Sequence, residues 1–128
     1  MRIEHVAFNV AQPQQMAVWY IEHLGFSLKR ALNDPAQTHF LADDSGVMMV
    51  EIYCNPADQV PDYPAMDPLV LHLALVSADP VIDSARLIAA GASHVTDVHL
   101  ADGSHLAMLR DPWGLALQLC RRGGRKAK

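Results

Sequence analysis

IEHVAFNVAQP, residues 3–13, is an apolar run that carries one histidine, His5, and meets a proline eight residues later at Pro13. LVLHLALVSADP, residues 69–80, repeats the arrangement with His72 and Pro80. Short apolar runs bounded this way predict buried strands, and a proline beyond each suits the first turn of a helix. Asp79, directly before Pro80, is a good N-cap. The helical stretches that follow are QQMAVWYIEHL, closed by Gly25, and VIDSARLIAA, closed by Gly91; glycine just past the last turn is the expected stop.

Working outward, further strands are expected around SLKRAL, THFLA and VMMVEIY in the first half, and around HVTDVHL, HLAMLR and LALQLC in the second. Turn signals separate them at Asn33-Asp34-Pro35, Asp44-Ser45-Gly46, Asp102-Gly103 and Asp111-Pro112-Trp113-Gly114. The plan is strand, helix and three strands, twice: an α+β chain of two tandem βαβββ modules, residues 1–53 and 69–120. Between them, residues 54–68 hold four of the eight prolines and read as a stiff linker. Residues 121–128, RRGGRKAK, read as a basic, disordered end.

The same duplication governs the polar residues. His5 is followed by Glu51 after 46 residues, and His72 by Gln118 after the same 46. Each of the four sits inside an apolar run expected to be a buried strand, where an unsatisfied polar group costs roughly 1–3 kcal/mol. A shared metal ion would satisfy all four. Residues i and i+2 share a strand face, so His5 goes with Ala7 and Asn9, against Val6, Phe8 and Val10. His72 goes with Ala74, and Gln118 with Ala116, each against leucines; Met49 and Tyr53 share the face of Glu51. One face is bulky and suited to helix packing, the other small and suited to a cavity. Ala7, Asn9, Met49, Tyr53, Ala74 and Ala116 are therefore the expected pocket lining.

Two imidazoles, one carboxylate and one amide form a nitrogen and oxygen set fit for Zn, Ni, Co, Mn or Fe(II), with no thiolate to make it a structural zinc knot. Four protein ligands on an octahedral ion leave two positions for a small-molecule substrate with neighbouring oxygens, and Glu51, the only carboxylate, is the expected proton-transfer base. With Gln118 unbound, the remaining three resemble a 2-His-1-carboxylate site. A lone histidine in an apolar strand is more often a hydrogen-bonded core residue; four at symmetric positions weigh against that reading. Arg110 and Arg30 have the charge to hold a substrate carboxylate, and Tyr53 suits a pocket rim. His23 fits a helix C-terminus, His39 and His105 read as ordinary, and His94 and His99 carry no distinct signal.

Composition narrows the partners. The 128 residues are 51% apolar and 19% charged, as in a soluble globular chain. Residues 1–120 carry 5 basic and 14 acidic groups, a formal −9, which argues against a nucleic-acid surface. No apolar run is long enough to span a bilayer and the first residues lack signal-peptide features, so no membrane partner and a cytoplasmic location are expected. Cys54 and Cys120 are then expected to be reduced structural thiols.

Three segments carry a resemblance that covers residues 1–120: the opening I-x-H-V-A-F, the W-Y-x-x-x-L-G-F from Trp19 to Phe26, and R-D-P-W-G-L-A-L-Q-L from Arg110 to Leu119. In this order and spacing they resemble the vicinal oxygen chelate superfamily, which includes glyoxalase I, methylmalonyl-CoA epimerase, extradiol dioxygenases and bleomycin-resistance proteins. The resemblance implies paired modules forming a half-open barrel, with a divalent metal ion held at the positions of His5, Glu51, His72 and Gln118. Bacterial glyoxalase I is the nearest pattern, and Gln118 departs from it, standing where that pattern has glutamate. The implied activity is that of a metal-dependent enzyme of lyase or isomerase type acting on vicinal oxygens. The alternatives are a metal-free drug or metabolite binder of the bleomycin-resistance type, which retention of three ligands argues against, and an Fe(II) extradiol-type dioxygenase, which usually has four modules. Exposed sheet edges in such small modules lead to the expectation of a homodimer.

Overall fold

The computed structural model describes residues 1–47 and 49–124, and at Met49 the backbone without the side chain. The chain divides into two compact units, Met1–Pro61 and a second beginning at Asp62. The first contains β1 (Val6–Asn9), α1 (Pro13–Leu24), β2 (Ser27–Ala31), β3 (His39–Ala42) and β4 (Met49–Tyr53). The second contains a 3-10 turn at Tyr63–Ala65, then β5 (Leu73–Val76), α2 (Pro80–Ala89), β6 (Ser93–His99), β7 (His105–Arg110) and β8 (Ala116–Arg121). Each unit has one open four-stranded sheet, ordered β1-β4-β3-β2 and β5-β8-β7-β6. The two tandem βαβββ modules of the α+β reading are thus present.

Each module's first and last strands pair in parallel, β1 with β4 and β5 with β8, while the remaining pairs are antiparallel. The helix supplies the covering layer for one face. From α1, Met16, Ala17, Trp19 and Tyr20 are buried, at the spacing of one helical face, with Phe8, Leu41, Val50 and Ile52 among the strand residues of the core and Val10 just beyond β1. In the second unit Leu87 of α2 and Leu109, Leu115, Leu117 and Leu119 are buried. Full burial of such a side chain contributes about 1.5–3 kcal/mol. The bulky face is inside at Phe8, Val50, Ile52, Leu117 and Leu119, whereas Val6 is exposed and Leu73 and Leu75 are half-buried.

Helix ends follow the sequence signals. Gly25 adopts φ 73° and its N–H reaches the Tyr20 carbonyl, ending α1. Asp79 caps α2, its carboxylate accepting from the N–H groups of Val81 and Ile82. Among the described residues no helix is long and apolar enough to cross a membrane.

Three expectations change. His5 and His72 do not lie within strands; each stands just before its strand, β1 or β5, and His5 retains 35% side-chain exposure. Pairing begins one residue after each histidine, so neither imidazole incurs the burial cost of a strand centre. The linker 54–68 is also not one element. Its later half joins the second unit, where Tyr63 is buried and the Arg110 guanidinium donates to the carbonyls of Tyr63, Met66 and Gly114 at 3.0, 2.8 and 3.0 Å. Nor does the basic end begin at 121: Arg121 pairs with His105 in β8, and the Gly123 N–H donates to the Ser104 hydroxyl. Arg125, Lys126 and Lys128 lie outside the described residues.

Gly114 sits at φ 92° beneath Pro64, where an added Cβ would lie 2.3 Å from Pro64 Cγ and 2.8 Å from its backbone nitrogen. Gly25 has a similar φ of 73° but open space around that position. Gly25→Ala should therefore cost only the left-handed backbone penalty of about 1–2 kcal/mol. Gly114→Ala should cost clearly more, because the docked 3-10 turn must also move. Urea unfolding of the two variants tests this, and equal losses would show that the Pro64 contact yields freely.

Candidate functional site

Parallel register decides which residues meet. Ala7 stands opposite Glu51, so His5, two residues earlier on the same side, reaches diagonally to the carboxylate. His5 Nε2 lies 2.9 Å from Glu51 Oε2, and its other nitrogen, Nδ1, lies 2.7 Å from Glu4 Oε1. Phe40, paired with Glu51 across β3 and β4, presents its ring edge-on to the imidazole, with centroids 6.2 Å apart. Glu51 is 19% exposed in its side chain, shielded enough to strengthen its contacts yet open to a small molecule.

The second unit repeats the backbone frame. Ala74 stands opposite Gln118, as Ala7 does opposite Glu51. His72 Nδ1 lies 2.7 Å from the Pro68 carbonyl. A carbonyl or carboxylate oxygen can only accept, so in both histidines Nδ1 is the donor to it; in His5 Nε2 meets a second acceptor, Glu51, whereas in His72 Nε2 is left available to a further partner. The Gln118 amide oxygen accepts from Cys120 Sγ at 3.1 Å. Both cysteines are free thiols; burial pushes the Cys120 thiol up, partly offset by Arg122. Such a thiol is a poor nucleophile at neutral pH.

The expected lining residues fall on their assigned strands with varied surroundings. Ala7 and Ala74 are exposed, while Ala116 is buried. Tyr53 pairs with Asn9 and is half-buried. Asn9 braces the following loop: its Oδ1 accepts from the Asn55 N–H at 2.8 Å and its Nδ2 donates to the Gln59 carbonyl at 3.3 Å. The side chain of Met49 lies outside the described residues. Arg110, considered for a substrate carboxylate, instead holds three backbone carbonyls; Arg30 is exposed on β2. His23 packs on Trp19, with ring centroids 5.2 Å apart, and His39 Nδ1 contacts the Gln37 carbonyl at 2.6 Å.

Among the described residues, no three histidine, cysteine, aspartate or glutamate side chains group so as to hold an ion. Each unit supplies donors of a kind that suits a divalent ion: in the first, the His5 imidazole, anchored through Nδ1, and the Glu51 carboxylate; in the second, the His72 imidazole, anchored in the same way, and the Gln118 amide oxygen. Anchoring of the distal nitrogen by a carboxylate or carbonyl is the usual support of a metal-binding histidine.

A second polar cluster escaped the sequence reading. His94 Nε2 and His105 Nε2 contact the two oxygens of Asp97 at 2.6 and 2.7 Å, and His99 stacks on His105 with centroids 4.3 Å apart. Simple alternation places His94 and Asp97 on opposite faces. A bulge between His94 and Thr96 resets the register, bringing them to the same face, opposite Leu109 and Ala107. The hairpin turn at Asp102-Gly103 was the available signal for the His99–His105 pair.

The hydrogen bond from His105, with that from His94 and the charge of both, holds the Asp97 carboxyl below its ordinary value of 3.8, against the opposing effect of burial. A carboxylate depressed in the folded state stabilises the fold above its ordinary pKa, and that contribution is lost as pH falls through the folded value. Asp97→Asn should therefore be less stable than the parent near pH 6, with the gap narrowing as pH falls below about 4. Thermal melts across that range check it; a gap independent of pH would mean that the carboxylate charge is not what counts.

The sequence pattern of the glyoxalase-like domain family matches residues 5–120. Among solved structures, a glyoxalase family protein from Enterococcus faecalis shares 28% identity over 94% of this chain and 97% of its own, with a TM-score of 0.73. A glyoxalase family protein from Bacillus cereus shares 17% over 97% and 95%, with a TM-score of 0.80. An antibiotic binding protein from Streptomyces sp. CB03234 shares 20% over 93% of each chain, with a TM-score of 0.71. The last two likenesses show the fold alone. A search of curated proteins finds no match.

Proposed function

The chain belongs to the glyoxalase-like domain family, within the vicinal oxygen chelate superfamily, and we propose that it is a divalent-metal-dependent enzyme acting on a small substrate with neighbouring oxygens. The observation that carries this reading is the His5–Glu51 contact of 2.9 Å, set on the small-residue face by the parallel pairing of β1 and β4. We assign His5 and Glu51 as ligands in the first unit and His72 and Gln118 as their counterparts in the second. When bound, the ion would act as a Lewis acid toward the substrate oxygens.

The chain's own residues supply the rest. Glu51 is the proton acceptor: its carboxylate is the only one in the donor set, and its partial shielding keeps a negative group beside the reacting carbon without full solvation. Phe40 limits the orientation of the His5 ring. Gln118 is neutral, so proton transfer falls to one carboxylate rather than a pair. The reaction class is isomerisation, epimerisation, addition or elimination at a carbon next to a carbonyl or hydroxyl.

A second reading, a metal-free binder of a drug or metabolite, draws on Gln118, whose amide binds an ion less strongly than a carboxylate. Elemental analysis after zinc, nickel, cobalt, manganese and iron supplementation separates the two. A stoichiometric ion lost in both His5→Ala and His72→Ala, with melting unchanged, is the expected result. Absence of any ion from the parent would overturn the enzyme reading and favour the binder. Gln118→Glu should bind the ion more tightly, since it adds a charge beside a dication; calorimetry against a competing chelator that showed equal or weaker affinity would remove residue 118 from the ligand set. We also propose a homodimer, because edge strand β6 is seven residues long and exposed throughout; light scattering that showed a monomer at micromolar concentration would refute it.

A further inference from the structure

The two modules anchor their histidines with different chemistry. His72 Nδ1 meets a neutral backbone carbonyl, that of Pro68, at 2.7 Å. His5 Nδ1 meets a charged side chain, Glu4 Oε1, at the same 2.7 Å. The modules repeat with an offset of 67 residues, from His5 to His72 and from Glu51 to Gln118. By that offset the counterpart of Glu4 is Leu71, and the counterpart of Glu51 is Gln118. Both carboxylates of the candidate site therefore belong to the first module, and the second has an apolar residue and a neutral amide in their places.

We infer that Glu4 is the positioning residue for His5, holding a proton at Nδ1 so that Nε2 is the nitrogen turned toward Glu51 and, once its own proton is displaced, toward the ion, an assignment that rests on the proposed metal-dependent reading for its last step. The geometry alone supports the first step. A carboxylate accepts the Nδ1 proton, the ring stands edge-on to Phe40, and Nε2 is left 2.9 Å from Glu51 Oε2. A carboxylate on the distal nitrogen also makes an imidazole a stronger electron donor than a carbonyl does. Glu4 thus returns to the site, one bond removed, a negative charge of the kind that Gln118 lacks.

Glu4 is 79% exposed in its side chain, so its removal leaves no cavity. The test compares the parent with Glu4→Ala, which has no acceptor, and Glu4→Gln, which keeps an acceptor without the charge. Nitrogen-15 spectra of the histidine rings in the metal-free chain, assigned with His5→Ala, report which ring nitrogen holds the proton. We expect His5 Nδ1 to be protonated in the parent and in Glu4→Gln, and to shift toward the ordinary preference for Nε2–H in Glu4→Ala. Zinc titration should show affinity falling by about 10–100-fold in Glu4→Ala, with Glu4→Gln between it and the parent. An unchanged His5 spectrum in Glu4→Ala overturns the inference. If the parent takes up no zinc, the metal-dependent reading falls while the ring spectra still decide whether Glu4 positions His5.

Discussion

Everything at the candidate site depends on the parallel pairing of each module's first and last strands. A parallel pair needs a crossover, and here the crossover is a helix followed by two antiparallel strands, so residues far apart in sequence are forced into neighbouring positions. The register places Ala7 against Glu51 and Ala74 against Gln118. With a small side chain at Ala7, His5, two residues earlier, has room to lean across to Glu51. A shift of one residue would send Glu51 to the helix-covered face among Phe8, Val10 and Ile52, where a carboxylate would have no partner.

Duplication of this frame has left the two halves chemically unequal. In the first module a histidine lies between two carboxylates; in the second, a histidine rests on a backbone carbonyl and the matching partner position holds an amide engaged by a thiol. The backbone has been kept while the charge has drifted to one side. That separation is physically reasonable: the register is fixed by the leucine, valine and isoleucine faces buried beneath the helices, and these are independent of the polar side chains on the other face.

Beyond the repeat, the second unit spends charged groups on its own architecture. Arg110 joins the turn at Tyr63–Ala65 to the corner at Gly114, and Asp97 gathers His94 and His105 at the edge of the sheet. Both arrangements satisfy polar groups that would otherwise be stranded at half-buried positions. An arginine and three titratable residues are thereby explained as structural supports.

The sequence by itself determined the element order, both helix ends and the burial of the apolar face in β4 and β8, because apolar period, Asp79, Gly25 and the prolines act locally and do not need the rest of the chain. It also determined the equivalence of His5 with His72 and Glu51 with Gln118, since a duplicated module repeats its spacing. Tertiary structure decided the rest. That His5 and His72 stand before their strands depends on where pairing starts, which a run of apolar residues does not mark. The union of His94 with Asp97 required a bulge that alternation conceals, and the employment of Arg110 required carbonyls from a segment more than 40 residues away. Glu4 had no signal of its own: only the fold, by turning the far nitrogen of His5 toward it, gave an exposed glutamate a part in the site.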